Sequence, residues 1–559
     1  MEHRATPRVS VACSACRNQH LRCDAQRPIC GRCQSLSRAC VYPESRRSTK
    51  FRMQKRAAAA AATPTPHQLQ QVLTPTYTAS NVSSDAPLGS DSSHSPSAGT
   101  VRSWSDTDNS LLDLYYEYFH PSHPFVLPQP ALQAKLTASD DLPSLRLLAN
   151  AMQYIGSYYR DPIARQHSLR EAIYNFDSVV DGFVVQATLL MSLAESMCDE
   201  GEEAQKLLSR ALTQAQLVGM NTKNFADAEV EADPVLAESW RRTWWMIYIV
   251  DANYCIIRGD YKMAISSAET NVDLPCEDEN YNRLAIPATT STMAEYQSRE
   301  YALEDKPFSS FTYLIDANRI YVMAMRAAKG YPSIARAEII CSDMETQVAS
   351  WFLMMPPSKR DLPVKQDVMD QLMFQAHLMM YTSLVYLHRP LSNLAYDVAE
   401  GLSSCGSPPP PMRPEISIGS IMDHQKHSEK LFDAIRKQNQ CLILLPMRAA
   451  QMSPFVICMV AGCTVAHLVA CKGAFEADDA EIARCRIRVS MGTLKHYEDI
   501  WPKARKILTQ LKKIAHAILQ SGAVIQAPVA DFQMLAEQDA MFANFFDKDW
   551  LQAFEASAA

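Results

Sequence analysis

Six cysteines crowd residues 13 to 40 as two copies of one spacing: Cys13, Cys16 and Cys23, then Cys30, Cys33 and Cys40, each C-x2-C-x6-C and seventeen residues apart. Structural zinc sites are tetrahedral and favour thiolate ligands, so six sulfurs do not divide into whole four-ligand sites. Two zinc ions need eight bonds, and six thiolates supply eight if four bind terminally and two bridge both metals. The spacing therefore predicts a binuclear zinc-thiolate cluster holding two Zn2+ per chain.

Other uses of six cysteines fit less well. Three disulfides would require an oxidising compartment, yet Met1 is followed by Glu2, His3 and Arg4 with no apolar run behind them, so secretion is not expected. Burial as small hydrophobes fails because Arg, Gln, Ser and Pro fill the intervals. Repeated C-x2-C pairs in a reducing compartment read as metal ligands.

With these residues the chain resembles the fungal binuclear-cluster (Zn2Cys6) transcription factors, whose two halves are joined by a short loop with a proline near its end. Here the loop is Asp24-Ala25-Gln26-Arg27-Pro28-Ile29. The resemblance implies a small domain of two short helices around the metals, with Cys13 and Cys30 as bridging ligands. It also implies that the segment after Cys16 enters the DNA major groove, which makes Arg17, Asn18, Gln19, His20 and Arg22 the candidate DNA contacts. The family usually places Arg or Lys where Gln19 and His20 stand. Histidine donates to guanine N7 or O6 and glutamine pairs with adenine, so a G/C-containing triplet half-site in double-stranded DNA is expected rather than a strict CGG.

Charge supports nucleic-acid binding without reference to any family. Residues 1 to 56 hold thirteen Lys and Arg against three acids, +10, while the whole chain carries −7, which leaves −17 for the remainder. Basic charge gathered at one end is the footprint of phosphate neutralisation. Arg46, Arg47, Lys50, Arg52, Lys55 and Arg56 follow the cluster closely. That run is a candidate nuclear-import signal or set of phosphate contacts, with a solvated helix face as the plainer alternative.

Beyond Arg56, six alanines lead into Thr63-Pro64-Thr65-Pro66 and then into Ser- and Asp-rich sequence almost free of large apolar residues. Such a stretch cannot offset its ordering entropy and is expected to be a disordered linker to about residue 105. It shows no sustained apolar heptad, so a dimerising coiled coil is unsupported here and any homodimer would form through the large domain.

From about 106 to 522 apolar residues recur at three and four, strand signals are scarce, and glycine is low at 16 in the chain. Leu207, Leu208, Ala211, Leu212 and Ala215 form one stripe that Gly219 should end. Trp240, Trp244, Ile247, Tyr248 and Asp251 form another, started through Ala237-Glu238-Ser239, while Cys276 to Thr290 and Pro408 to Pro411 read as loops. The expectation is a large all-α assembly of many antiparallel helices. This region resembles the fungal-specific transcription factor regulatory domain through Leu111 to Pro128, Gln186 to Gly219, Arg241 to Asp251 and Tyr386-Leu387-His388-Arg389-Pro390.

No P-loop, dinucleotide fingerprint, HExxH or nucleophile elbow appears, so no enzyme activity is expected. His424 and His427 beside Asp423 read as a solvated helix start rather than a metal site, for want of further ligands. Trp244 and Trp245 read as core in preference to an effector pocket. The apolar run Pro454 to Cys471 is short for a membrane span and interrupted by His467, so it reads as a buried soluble helix and no membrane partner is expected. The ten cysteines outside the cluster lack metal spacing and read most simply as small buried hydrophobes, with redox sensing as the alternative.

Residues 523 to 559 set Asp531, Glu537, Asp539, Asp547, Asp549 and Glu555 among Phe532, Phe542, Phe545, Phe546, Trp550 and Phe554. Acids that keep exposed aromatics solvated make a candidate activation tail, reaching a coactivator or the transcription machinery, with a terminal helix docked on its own domain as the plainer alternative. The domain reading is thus a zinc-cluster DNA-binding domain at 1–45, a basic then disordered linker at 46–105, an all-α regulatory domain at 106–522 and an acidic-aromatic tail at 523–559. Together they describe a nuclear, sequence-specific DNA-binding regulator of RNA polymerase II transcription, more simply an activator, within which control of one metabolic gene cluster would fit. A repressor, or a zinc-containing scaffold without sequence-specific binding, is the alternative.

Overall fold

The computed structural model describes Cys23, residues 29–36 and Cys40, and then 106–138, 142–161, 167–174, 179–303, 306–331, 333–362, 364–365, 368–405, 424–444, 451–473 and 477–520. The chain divides into two compact units, residues 1–99 and 100–559. In the first, the described part contains one helical turn, α1 (Gly31–Ser35), between Cys30 and Cys40. The groove-facing segment Arg17 to Arg22, the basic run Arg46 to Arg56, the rest of the linker, Pro408 to Pro411 and the tail 523–559 lie outside the described residues.

The second unit is helical, as its periodicity predicts. Its longer helices are α2 (Asp106–Leu114), α3 (Gln129–Ala138), α4 (Pro143–Arg160), α5 (His167–Tyr174), α6 (Gly182–Met197), α7 (Gly201–Leu217), α8 (Pro234–Arg258) and α9 (Ser310–Lys329). They continue with α10 (Ile334–Leu353), α11 (Gln371–His388), α12 (His424–Ile443), α13 (Val456–Gly473), α14 (Ala477–Glu498) and α15 (Pro502–Gln520). Among the described residues, extended pairing is confined to a two-residue hairpin, Val364–Lys365 with Val368–Met369, and a single bridge between Leu274 and Ser291.

Side chains placed at the helix ends explain where helices start and stop. Asp181, Asp233, Ser309, Ser333 and Asp370 each accept a backbone N–H from the first turn of α6, α8, α9, α10 and α11, satisfying donors that have no partner within the helix. The stripe on α7 is buried as expected. Gly219 ends it in a left-handed conformation (φ +82°), with Met220 N–H donating to the Ala215 carbonyl at 2.8 Å. The helix with the tryptophans starts earlier than Ala237 to Ser239. Its first residue is Pro234, whose missing N–H costs nothing there, and Asp233 caps it.

Neighbouring helices pack in pairs, α2 on α4, α4 on α6, α6 on α7, α9 on α11, α11 on α12 and α13 on both α14 and α15. One continuous apolar core runs from Leu112 to Ile518. The apolar run Pro454 to Cys471 becomes α13, buried within this core, and among the described residues no helix is long and apolar enough to cross a membrane.

Three sequence expectations are corrected. His427 is no solvated residue at a helix start: it is buried, with Nδ1 2.8 Å from Nδ1 of His388. Its partner comes from α11, too distant in sequence for local spacing to reveal. Cys485 is exposed on α14, whereas Cys198, Cys255, Cys341, Cys441 and Cys463 are buried as expected. The stretch from Cys276 to Thr290 is more than loop, since it contains the helical turn Asp278–Asn282.

Candidate zinc centre and regulatory domain

The second half of the cysteine pattern is built around α1. Cys30 stands at its N-cap in extended conformation, and its sulfur accepts the Cys33 N–H at 3.4 Å. The Cys30 N–H in turn donates to the Cys40 sulfur at 3.3 Å. Hydrogen bonds to sulfur favour the thiolate, the form that binds metal. The sulfurs of Cys30, Cys33 and Cys40 lie within 4.8 Å of one another. Thiolates around tetrahedral zinc sit about 3.8 Å apart, from Zn–S bonds of about 2.3 Å, so the three sulfurs fit one metal corner with little movement. Cys30 and Cys33 are buried, and Cys23 packs against them with Cys40. Four of the six expected ligands are thus gathered; Cys13 and Cys16 lie outside the described residues, as do Arg17, Asn18, Gln19, His20 and Arg22.

In the helical domain, three of the four segments that carry the resemblance meet around one buried arginine. Arg242 on α8 is fully buried; its Nε donates to Glu238 at 2.8 Å, Nη1 to the Pro124 carbonyl at 3.0 Å and to Asp278 at 2.6 Å, and Nη2 to the Cys276 carbonyl at 2.8 Å. The Tyr281 ring lies 4.1 Å from the guanidinium carbon. One residue on, the Phe125 carbonyl accepts Gln186 Nε2 at 3.1 Å and Ser239 Oγ at 2.9 Å. The segment Leu111 to Pro128 is therefore bolted to α6 and α8 by polar groups that no water reaches. Burial and the neighbouring Arg242 keep His120 neutral, with its pKa lowered to about 3, and burial lowers His123 to about 4.

The fourth segment ends α11. Arg389 is buried; its Nη2 donates to the equally buried Glu400 at 3.0 Å and to the Ala395 carbonyl at 2.8 Å, while Nη1 donates to the Leu394 carbonyl. It shapes the chain after α11. Trp244 and Trp245 are core, as expected, and Trp245 Nε1 donates to the Asp273 carbonyl at 2.9 Å. They also form one wall of a cavity of about 230 Å3, closed by Tyr248, Ile315, Asp316 and Arg319. Sequence reading missed Arg242, although the charged pair Arg241-Arg242 inside an otherwise apolar helix was its signal.

The described residues thus combine a three-sulfur corner that could hold a metal beside a short helix with a large helical domain whose first segment is bolted by buried polar groups. Two family models match: the fungal Zn(2)-Cys(6) binuclear cluster domain over residues 11–49 and the fungal specific transcription factor domain over 112–326. These matches support a DNA-binding transcription factor of the fungal Zn2Cys6 type. Among individual proteins it is similar to the C6 finger domain transcription factor iacK of Pestalotiopsis fici, 28% identical over 573 residues that cover 94% of this chain and 83% of that protein. No solved structure matches.

Proposed function

We propose that the protein is a nuclear transcriptional activator that reads DNA through a binuclear cluster in which all six N-terminal cysteines hold two zinc ions. The observation that carries this reading is the convergence of the Cys30, Cys33 and Cys40 sulfurs on one point, repeated by spacing at Cys13, Cys16 and Cys23. The +10 charge of residues 1 to 56 supplies the attraction to phosphate. Gln19 and His20 face bases, Arg17, Asn18 and Arg22 hold the backbone, and Arg46, Arg47, Lys50, Arg52, Lys55 and Arg56 add phosphate contacts or direct nuclear import. The boundaries at 45, 105 and 522 separate reader, linker, regulatory domain and tail, the tail recruiting a coactivator through its aromatics. Similarity to a fungal transcription factor over nearly the whole chain fits control of a particular set of genes.

The test is site selection by the full-length protein from random DNA. His20→Ala is expected to lose roughly 1–3 kcal/mol of discrimination at one base position, whereas Arg22→Ala weakens all sequences alike and flattens the salt dependence. Profiles for His20→Ala that match wild type at every position would remove His20 from base reading. Failure of the wild type to enrich any sequence favours the scaffold alternative.

A further inference from the structure

We propose that Cys341, His388 and His427 form a zinc site within the helical domain, separate from the N-terminal cysteines. The three side chains come from three helices: Cys341 from α10, His388 from the last residue of α11 and His427 from the first turn of α12. Their relative exposures are 1%, 1% and 4%, so they sit together out of water. Sγ of Cys341 and the Nδ1 atoms of both histidines converge, at 3.5 Å between Sγ and His388 and 2.8 Å between the two rings, all three within 4.8 Å. Around tetrahedral zinc the corresponding separations are about 3.6 Å for sulfur to nitrogen and about 3.3 Å for nitrogen to nitrogen, from bonds of about 2.3 and 2.05 Å. The sulfur already stands at the required distance. The rings need to part by about half an ångström to meet that spacing.

The outer nitrogens explain why a cation belongs between the rings. His427 Nε2 lies 3.2 Å from Glu338, and His388 Nε2 lies 3.1 Å from Glu345, which Lys430 holds at 2.5 Å. The first is a hydrogen bond and puts N–H on His427 Nε2; the second is an ion-pair approach, whose carboxylate favours N–H on His388 Nε2. With N–H on both Nε2 atoms, the two Nδ1 atoms present lone pairs to each other at 2.8 Å, a repulsion that a metal ion relieves, as would a proton shared between the rings. Carboxylates behind histidine ligands also fix ring tautomer and orientation in metal sites. One thiolate and two imidazoles suit zinc among the common ions, leaving a fourth position for water or a neighbouring oxygen. The consequence is a cross-link joining α10, α11 and α12 in the half of the domain that follows the matched family segment.

The experiment uses the full-length protein without a histidine tag, dialysed against zinc chloride and then against metal-free buffer. Zinc-edge X-ray absorption and elemental analysis are read together. The N-terminal cysteines give sulfur scattering alone, so imidazole scattering in the wild type is expected from this site. His427→Gln and Cys341→Ser are each expected to lower the bound zinc by one ion per chain, His427→Gln also weakening the imidazole signal. An all-sulfur shell in the wild type would show that the two rings share a proton instead and would overturn the site. Zinc content and imidazole scattering unchanged in both variants would overturn it equally. Should a variant fail to fold, the wild-type spectrum still decides.

Discussion

Arg242 has no exposed surface, yet every nitrogen of its guanidinium is satisfied by Glu238, Asp278 or a backbone carbonyl. A planar fork with donors on three sides meets those acceptors, and a point charge does not. Arg242→Met should leave Asp278 without its cation, while Glu238 keeps Arg241 and the Cys276 N–H, and should cost up to about 3–5 kcal/mol, as removal of one partner from a buried pair does. Arg242→Lys keeps the charge but loses the fork, and should recover only part of that loss. Denaturant midpoints of the full chain measure both, and a lysine variant as stable as wild type would show that charge alone suffices. The grouping of Cys30, Cys33 and Cys40 was legible because like side chains at fixed spacing leave few readings. His427 was not, since its meaning depends on His388 and Cys341, brought near only by packing of α10, α11 and α12.

Helices α2 and α4 touch backbone to backbone at Gly156. A Cβ there would lie 2.0 Å from the Leu111 carbonyl oxygen, too close for any side-chain rotation to relieve. Gly201, at the start of α7, has open space around the same position. Alanine should therefore act with opposite sign at the two sites: Gly156→Ala should destabilise by about 1–3 kcal/mol through overpacking, and Gly201→Ala should be neutral or gain up to about 1 kcal/mol through helix propensity. Thermal melts of the two variants check this, and a gain at Gly156 would mean that α2 can move away. Periodicity revealed α7 and its stop at Gly219, because both are local. The start of α8 was set too late because the apolar stripe begins after the cap, and the contact at Gly156 was invisible because its partner lies on another helix.

Across the whole helical domain, burial lowers His120 to about 3, His123 and His377 to about 4 and His467 to about 3, so all four fold neutral. Below the unfolded value near 6.5, the unfolded chain takes up protons that the folded one refuses, and stability falls by about 1.4 kcal/mol per pH unit for each histidine. Going from pH 7.5 to 5.5 should cost about 5 kcal/mol from these four. Burial raises Asp278 to about 6 against the pull of Arg242, and this carboxyl offsets about 1 kcal/mol of the loss. Denaturation at pH 7.5, 6.5 and 5.5 should show falling midpoints; rising ones would reverse the sign. The all-α class was legible in the scarcity of glycine and strand signals, whereas the order of helix contacts was not. Among those contacts, His123 stacks on Phe119 and reaches Ser453 and Phe455, while Gln451 donates to the Glu117 carbonyl at 2.9 Å. Segments more than 300 residues apart are thereby joined. During synthesis the ribosome releases Phe119 and His123 long before it has made residues 451 to 455, so this part of the first segment waits for its last partners even after α6 and α8 have emerged. A nascent chain halted before residue 451 should accordingly be held by chaperones or aggregate, and the domain should close late and in one step.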